Sequence, residues 1–175
     1  MSARTRLART VRSACSEEGA LTDIVDRATR SRMMSGIRGK DTKAELVVRR
    51  MLFGQGFRFR LHRRDLPGRP DVVLPSLRIT VFIHGCFWHR HNSCGYAKLP
   101  STRPEFWKAK LEGNVVRDDA AVAALRALGW RVLVVWECAV RDKRTLSRLP
   151  RVLSAWIRGH GAFCEIRGPA SLSTR

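Results

Sequence analysis

The sequence predicts a mixed α/β domain in which a central β-sheet is flanked by helices. Three patterns carry this prediction. Thr42 and Glu45 have the spacing of a helix-capping box, and two short segments rich in β-branched residues, 71–74 and 78–83, have the character of a β-hairpin. Residues 131–136 are almost continuously apolar, which is typical of a strand buried in the centre of a sheet.

The remaining elements follow from periodicity and from residues that end helices. Phe57, Phe59 and Leu61 alternate with polar residues, as in a half-buried strand. Pro104 suits the first turn of a long helix, and Gly129 suits the position after its end. The predicted helices span 26–37, 42–53, 104–128 and 145–157, and the predicted strands span 57–61, 71–74, 78–83 and 131–136. Strands that are separated by helices favour a sheet with helices on its faces.

The length of 175 residues suits one domain. Regular patterning covers residues 23–160, which are therefore predicted to form the domain. Residues 1–22 are polar and rich in arginine, and they are interpreted as a flexible basic extension. Residues 161–175 are interpreted as a C-terminal tail.

The net charge indicates a polyanionic partner. The chain has 34 Lys and Arg against 15 Asp and Glu, a formal charge of +19, and most of the basic residues are arginine. Such self-repulsion is best explained by binding to a polyanion, and the planar guanidinium suits phosphates and guanine edges. Nucleic acid is the favoured partner, with an acidic membrane surface and an acidic protein as alternatives.

Composition also bears on the compartment. No apolar segment is long enough to cross a membrane as a helix, and no apolar stretch of a secretory signal follows the basic N-terminus. The five cysteines are Cys15, Cys86, Cys94, Cys138 and Cys164. Their odd number and irregular spacing argue against a secreted disulfide scaffold and favour a reducing cytoplasm.

Asp71 is a candidate ligand of a hard divalent cation. It enters a predicted strand directly after the rigid turn that Pro70 completes. Mg²⁺ binds one or two protein carboxylates and keeps its other positions for water and phosphate. The alternative is that Asp71 only caps the turn.

A second candidate site combines Cys86, His91, Cys94 and Cys138. Three cysteines and one histidine are a tetrahedral zinc set, and a set without an open position is structural. The alternative is that the cysteines are buried free thiols. Cys15 and Cys164 lie outside this pattern.

Phe87, Trp88 and His89 lie between two of these candidate zinc ligands. If the segment is extended, neighbouring residues point to opposite faces, so Phe87 and Trp88 cannot both enter one core. An apolar side chain on a basic surface can instead enter a base step of DNA. His89 has a suitable unperturbed pKa for a general base or acid, and His84 is a second candidate.

Taken together, these residues resemble the very short patch repair endonuclease family (Vsr). The resemblance covers about residues 23–160. Its most specific parts are the string from His84 to His89, His-Gly-Cys-Phe-Trp-His, and the string from Trp136 to Ala139, Trp-Glu-Cys-Ala. Further matching segments are 26–31, 66–71, 102–107 and 128–138.

The resemblance implies a fold and an activity. The fold would be like that of PD-(D/E)xK restriction endonucleases, with a structural zinc added. The enzyme would be a Mg²⁺-dependent, strand-specific DNA nicking endonuclease of bacteria that cuts 5′ of the thymine in T:G mismatches left by 5-methylcytosine deamination. Its partners would be mismatched duplex DNA and other mismatch-repair proteins, without a membrane, and the protein is expected to be a monomer in the cytoplasm at the nucleoid.

The resemblance also assigns roles to residues. Asp71 and the backbone carbonyl of Ile83 would bind Mg²⁺, which explains why the strand lacks the acid-x-Lys pair of the wider superfamily. The residues implied at the reacting centre are Asp71, His89, its partner Asp118, Glu45 and a supporting His84. The residues implied to enter the duplex are Met34, Phe87 and Trp88. The implied zinc ligands are Cys86, His91, Cys94 and Cys138, although one extra residue precedes Cys94 here.

Two other functions stay open at this point. The chain could be a zinc-stapled module that binds mismatched DNA without cutting it. It could also be a related nuclease that acts on other DNA.

Overall fold

A computed structural model of the chain describes residues 40–169 together with residues 26, 28, 29, 31 and 32. Its elements, numbered in chain order, are α1 Lys43–Gly54, β1 Arg60–Leu61, β2 Val72–Leu74, β3 Ile79–His84, α2 Pro104–Ala127, β4 Arg131–Trp136, α3 Glu137–Arg141, α4 Lys143–Arg158 and β5 Phe163–Ile166. Short 3₁₀ helices span Pro75–Leu77 and Gly95–Ala97.

The five strands form one mixed sheet in the order β1-β2-β3-β4-β5. The first three strands are antiparallel, and β4 and β5 continue the sheet parallel to β3. The hairpin of β2 and β3 pairs Val72 with Val81, and β3 pairs with β4 along its whole length, from Ile79 opposite Arg131 to His84 opposite Trp136.

Each face of the sheet carries its own core. On one face, α1, α3 and α4 cover side chains such as Val81, Ile83 and Leu133. On the other face, Leu125 of α2 packs with Val134 and its neighbours. Because successive residues of a strand point to opposite faces, the continuous apolar pattern of β3 and β4 fills both cores. The predicted mixed sheet between helices is confirmed.

The helix that the capping box predicts is present. The Thr42 hydroxyl accepts a hydrogen bond from the Glu45 backbone at 3.3 Å, and the Glu45 carboxylate accepts one from the Thr42 backbone at 3.3 Å. The long helix begins at Pro104 and the central strand spans Arg131–Trp136, both as predicted. The last predicted helix begins two residues earlier, at Lys143, where Asp142 caps it.

The structure differs from the sequence expectation at both edges of the sheet. The strand expected over 57–61 is reduced to Arg60–Leu61, and Leu61 is exposed. It is an edge strand, and Phe57 and Phe59 pack against the core before the pairing starts. At the other edge, β5 lies within the segment interpreted as a tail and pairs with β4 from Phe163 to Ile166. Phe163, Cys164 and Glu165 are not fully buried, so this strand lacks a strong apolar pattern.

Of the predicted 26–37 helix, the structure describes only part of the first turns. Residues 28, 29, 31 and 32 are helical, and the Asp26 carboxylate accepts a hydrogen bond from the Thr29 backbone at 2.8 Å. Met34, Cys15 and the proposed extension 1–22 lie outside the described residues. Within the described part of the chain, no helix is long and apolar enough to cross a membrane.

Candidate active site

Asp71 lies where the hairpin begins, at the end of a tight turn. Gly68 has a positive φ of 70°, and a Cβ at this position would lie 2.6 Å from the Ala121 Cβ of α2. Only glycine therefore allows the turn to pack this closely against the helix. The turn delivers Asp71 to the start of β2, one residue before Val72.

The Asp71 carboxylate is held next to the backbone of Ile83. Its Oδ2 accepts a hydrogen bond from the Ile83 N–H at 2.7 Å. Continued by two residues, the register that pairs Val72 with Val81 sets Pro70 opposite Ile83. Proline has no N–H, so Pro70 cannot donate the hydrogen bond that an ordinary strand partner would give to the Ile83 carbonyl. The Ile83 backbone next to the Asp71 carboxylate thus lies opposite a residue that cannot donate a strand hydrogen bond to it.

The environment of Asp71 disfavours its charge. Burial raises the pKa of this carboxyl to about 6, against the hydrogen bond from Ile83, and the nearby charge of Glu45 raises it further. A carboxylate that is costly to ionise gains from a bound cation, because the cation compensates the charge. The pKa therefore fits a metal ligand.

Glu45 is buried and already has several partners. Besides the Thr42 cap, its Oε2 accepts a hydrogen bond from Arg49 at 2.6 Å and from the Asp41 backbone at 3.1 Å. Arg49 also binds the Asp41 carboxylate at 2.5 Å. Glu45 is therefore close enough for its charge to act on Asp71, but its own carboxylate is hydrogen-bonded to Arg49 and to the Asp41 backbone.

His62 is a residue of this site that the sequence analysis missed. Its Nδ1 lies 3.9 Å from Asp71 Oδ1, and its Nε2 lies 3.0 Å from Arg49 Nη2 and 4.0 Å from Glu45 Oε2. The sequence signal was weak, because His62 simply ends an alternating segment.

A second group combines His84, His89 and Asp118. His89 Nδ1 and Asp118 Oδ2 are 2.5 Å apart, and the rings of His84 and His89 stack with centroids 3.9 Å apart. An Nδ1–H that donates to Asp118 leaves His89 Nε2 free to accept a proton. Burial lowers the pKa of His84 to about 3, with the neighbouring His89 as the next cause, so His84 stays neutral near pH 7.

Phe87 and Trp88 were expected to point to opposite faces of an extended segment, but in the structure their rings lie side by side. Residues 86–90 form a turn rather than a strand, closed by a hydrogen bond from the His89 N–H to the Gly85 carbonyl at 3.1 Å. The two rings meet edge to face at 5.0 Å, and both are only half-buried. Asn114 of α2 donates to the Trp88 carbonyl at 2.8 Å, which fixes the turn on the helix.

Cys86, His91, Cys94 and Cys138 come together behind this turn, with their ligand atoms within 4.8 Å of one another. His91 Nδ1 lies 3.6 Å from the Cys86 sulfur and 3.4 Å from the Cys138 sulfur. Zinc with ordinary Zn–S and Zn–N bonds at a tetrahedral angle requires about 3.6 Å between sulfur and nitrogen. The donor set and its spacing therefore fit zinc.

The surroundings of these four residues support the same interpretation. Ser93, in the segment that contains the extra residue before Cys94, adopts a positive φ of 56°. The hydrogen bond between the thiols of Cys86 and Cys138 lowers the pKa of Cys138 and raises that of Cys86. Beyond β5, the Gly168 N–H donates to the Cys138 sulfur at 3.2 Å, and a Cβ there would lie 2.6 Å from the Cys138 carbonyl.

One cleft of about 1160 Å³ joins most of these groups. Asp71, Glu45, His84, His89 and Asp118 all line it, together with His62, Ile83 and Trp88. Basic side chains also line it: Lys40, Lys43, Arg64, Arg69 and Arg141. A carboxylate, an oriented histidine, a half-buried indole and several cations in one cleft suit a phosphodiester in nucleic acid.

Comparison with known proteins gives a consistent result. The model of a family described as DNA mismatch endonuclease Vsr matches residues 22–95. The chain is 47% identical over 148 residues to the DNA mismatch endonuclease Vsr of Escherichia coli, which covers 83% of this chain and 94% of the relative.

Two further relatives are described as type II nicking enzymes. V.XorIIP of Xanthomonas oryzae pv. oryzae is 47% identical over 134 residues, covering 76% of this chain and 98% of the relative. V.NmeAIP of Neisseria meningitidis is 42% identical over 135 residues, covering 75% of this chain and 96% of the relative.

Proposed function

Because this chain belongs to the DNA mismatch endonuclease Vsr family and is a DNA endonuclease, we propose that it nicks one strand of duplex DNA 5′ of the thymine in a T:G mismatch. Such mismatches arise when 5-methylcytosine deaminates. The observation that carries the proposal is the single cleft in which Asp71 and the His89–Asp118 pair lie beside the half-buried Trp88.

Asp71 and the Ile83 carbonyl would hold Mg²⁺ in this cleft. The support is the contact of the Asp71 carboxylate with the Ile83 backbone, the proline opposite Ile83 in the register, and the raised pKa of the Asp71 carboxyl. When bound, Mg²⁺ supplies positive charge to the scissile phosphate and lowers the pKa of a coordinated water.

His89 is the proposed general base or acid. Asp118 orients the ring through Nδ1, so that Nε2 is the atom that takes or gives the proton. His84 supports this role, because its neutral ring stacks on His89 without adding a competing charge. Glu45 acts at the same centre through its charge beside Asp71.

Cys86, His91, Cys94 and Cys138 would bind a structural zinc. Four protein ligands leave no position for water or substrate, so this site stabilises the turn and takes no part in the chemistry. This turn carries Phe87, Trp88 and His89. The zinc would therefore hold in position both the residues that contact the bases and the histidine that acts at the phosphate.

Phe87 and Trp88 are the proposed wedge beside the mismatched pair. Their edge-to-face contact and the Asn114 bond hold them in place before DNA arrives, which lowers the entropic cost of insertion. Met34 is proposed to enter the duplex as well, from a segment outside the described residues. We further propose that the enzyme acts as a monomer at the bacterial nucleoid, together with other mismatch-repair proteins.

A nicking assay on end-labelled duplexes tests this function. The substrates are a T:G duplex, its matched C:G and T:A counterparts and the single strands, each with and without Mg²⁺. We expect one nick 5′ of the mismatched thymine, only with a divalent cation, and none in Asp71→Ala although it still binds. Binding without cleavage at any divalent metal would instead show a binding module, and equal cleavage of matched DNA would show a nuclease for other DNA.

A further inference from the structure

His62 lies between the ion-pair network around Arg49 and the proposed metal ligand Asp71. On one side its Nε2 contacts the guanidinium of Arg49 at 3.0 Å. On the other side its Nδ1 lies 3.9 Å from Asp71 Oδ1, which is within ion-pair range but longer than a hydrogen bond, and its backbone N–H donates to the Asp71 carbonyl at 3.4 Å. The residue that faces the second carboxylate oxygen is therefore His62, while Ile83 binds the first.

The contact with Arg49 determines which nitrogen of His62 carries the proton. A guanidinium has donors and no acceptor, so the Nε2 that faces it must accept. In the neutral imidazole, the proton then lies on Nδ1, the atom directed at Asp71. Arg49 is itself fixed by Asp41 and Glu45, so it does not turn away from His62.

We propose that His62 is a positioning residue for the metal-binding carboxylate: Arg49 holds its ring in the Nδ1–H form, and this N–H orients Asp71 Oδ1 while Ile83 holds Oδ2. The proposal rests on the proposed role of Asp71 as a Mg²⁺ ligand. Partners of this kind fix the geometry of a ligand that is already bound to the metal, and their loss commonly costs ten- to a hundred-fold in metal affinity.

The same residues argue against a second metal ion at this place. Asp41, Glu45 and His62 could geometrically hold a cation. However, the guanidinium of Arg49 already binds both carboxylates and the ring, so the positive charge there is supplied by the protein. His62 therefore serves the Asp71 metal site and is not a ligand of a second cation.

Three substitutions separate the two nitrogens. His62→Asn keeps an N–H near the position of Nδ1, and asparagine tolerates the positive φ of 47° at this residue. His62→Gln places its amide near the position of Nε2 and has no donor near Nδ1. His62→Ala removes both. His160→Asn, at an exposed histidine that does not line the cleft, is the matched control.

Two measurements are made on the zinc-loaded protein: Mn²⁺ binding without DNA, by electron paramagnetic resonance, and the Mg²⁺ concentration for half-maximal single-turnover nicking. Zinc content and melting temperature verify the fold. We expect His62→Ala and His62→Gln to weaken Mn²⁺ binding and to raise the Mg²⁺ requirement by about tenfold or more. His62→Asn should stay within about threefold of the unchanged protein, as should His160→Asn.

The proposal is overturned if His62→Ala binds Mn²⁺ as tightly as the unchanged protein, if His62→Asn loses as much as His62→Ala, or if His62→Gln restores binding better than His62→Asn. If His62→Ala does not fold, the comparison of Asn with Gln still decides. Asp71→Ala is the reference for loss of the metal. Mn²⁺ binding that needs Asp71 without any nicking of T:G DNA would refute the proposed function and leave the His62 result to stand on the binding data.

Discussion

Replacement of Asp71 by asparagine should stabilise the magnesium-free protein while it abolishes nicking. Burial raises the pKa of the Asp71 carboxyl from 3.8 to about 6, and its side chain is 21% exposed. A shift of this size corresponds to about 3 kcal/mol of lost stability when the carboxyl is ionised. Asparagine removes this cost, and its amide oxygen can still accept the hydrogen bond from Ile83.

The gain should depend on pH in a defined direction. Because the pKa of Asp71 is higher in the folded than in the unfolded state, its ionisation weakens the fold fully above about pH 6 and not at all below about pH 3.8. The variant should therefore exceed the unchanged protein in free energy of unfolding by about 3 kcal/mol at pH 7.5. At pH 5 the difference should be about half of that value.

Urea unfolding at both pH values measures the difference. The buffers are freed of magnesium by ion-exchange resin, because a chelator would also remove zinc, and zinc content is verified in every sample. Asp65→Asn is the control, since Asp65 is exposed and bound only to Arg63 among the described residues, so its replacement should leave the stability nearly unchanged at both pH values. Added Mg²⁺ should stabilise the unchanged protein and not the Asp71→Asn variant. An Asp71→Asn protein no more stable than the unchanged one at pH 7.5, or a gain that grows towards low pH, would refute the reasoning.

Three other changes have expected outcomes. Asp118→Asn removes the acceptor that orients His89 and should lower single-turnover nicking by about a hundredfold or more, with DNA binding unchanged. Cys138→Ser should reduce the zinc content below one per chain and lower the melting temperature by roughly 10 °C, because the metal stabilises the fold. Trp88→Ala should reduce the preference for T:G over matched duplex by roughly tenfold in a binding titration, because unstacking beside the mismatch is then less well compensated.

Each of these expectations has a result that contradicts it. Unchanged nicking in Asp118→Asn would show that His89 needs no orientation. A full complement of zinc in Cys138→Ser would remove this cysteine from the ligand set. A loss of affinity in Trp88→Ala that is equal for both duplexes would assign the indole to packing rather than to the mismatch.

The sequence predicted those parts of the fold that have local signals. The capping box at Thr42 and Glu45 fixes the start of α1 through contacts within four residues. The central strand was predicted because a strand that is buried on both faces must be apolar at every position. β5 lacked both kinds of signal: it is short, half-exposed and held at the edge by its pairing with β4.

The sequence by itself determined which residue types were present for the site and which of them were close along the chain. The turn with Cys86, Phe87, Trp88 and His89 and the ligand-type residues around it were visible as a short string. Its conformation was not, because a turn and a strand place adjacent aromatic rings in different directions. Cys138 was already a candidate because it follows the predicted core strand, whereas the distant Asp118 was supplied by the resemblance alone.

Only the tertiary structure decided which groups face the Asp71 carboxylate. The strand register sets Ile83 and Pro70 opposite each other, and a slip by one residue would turn every side chain to the other face. The meeting of His62 with Arg49 and Asp71 joins α1, the end of β1 and the start of β2. Such contacts depend on how separate elements pack, so the pattern within any one segment contains no sign of them.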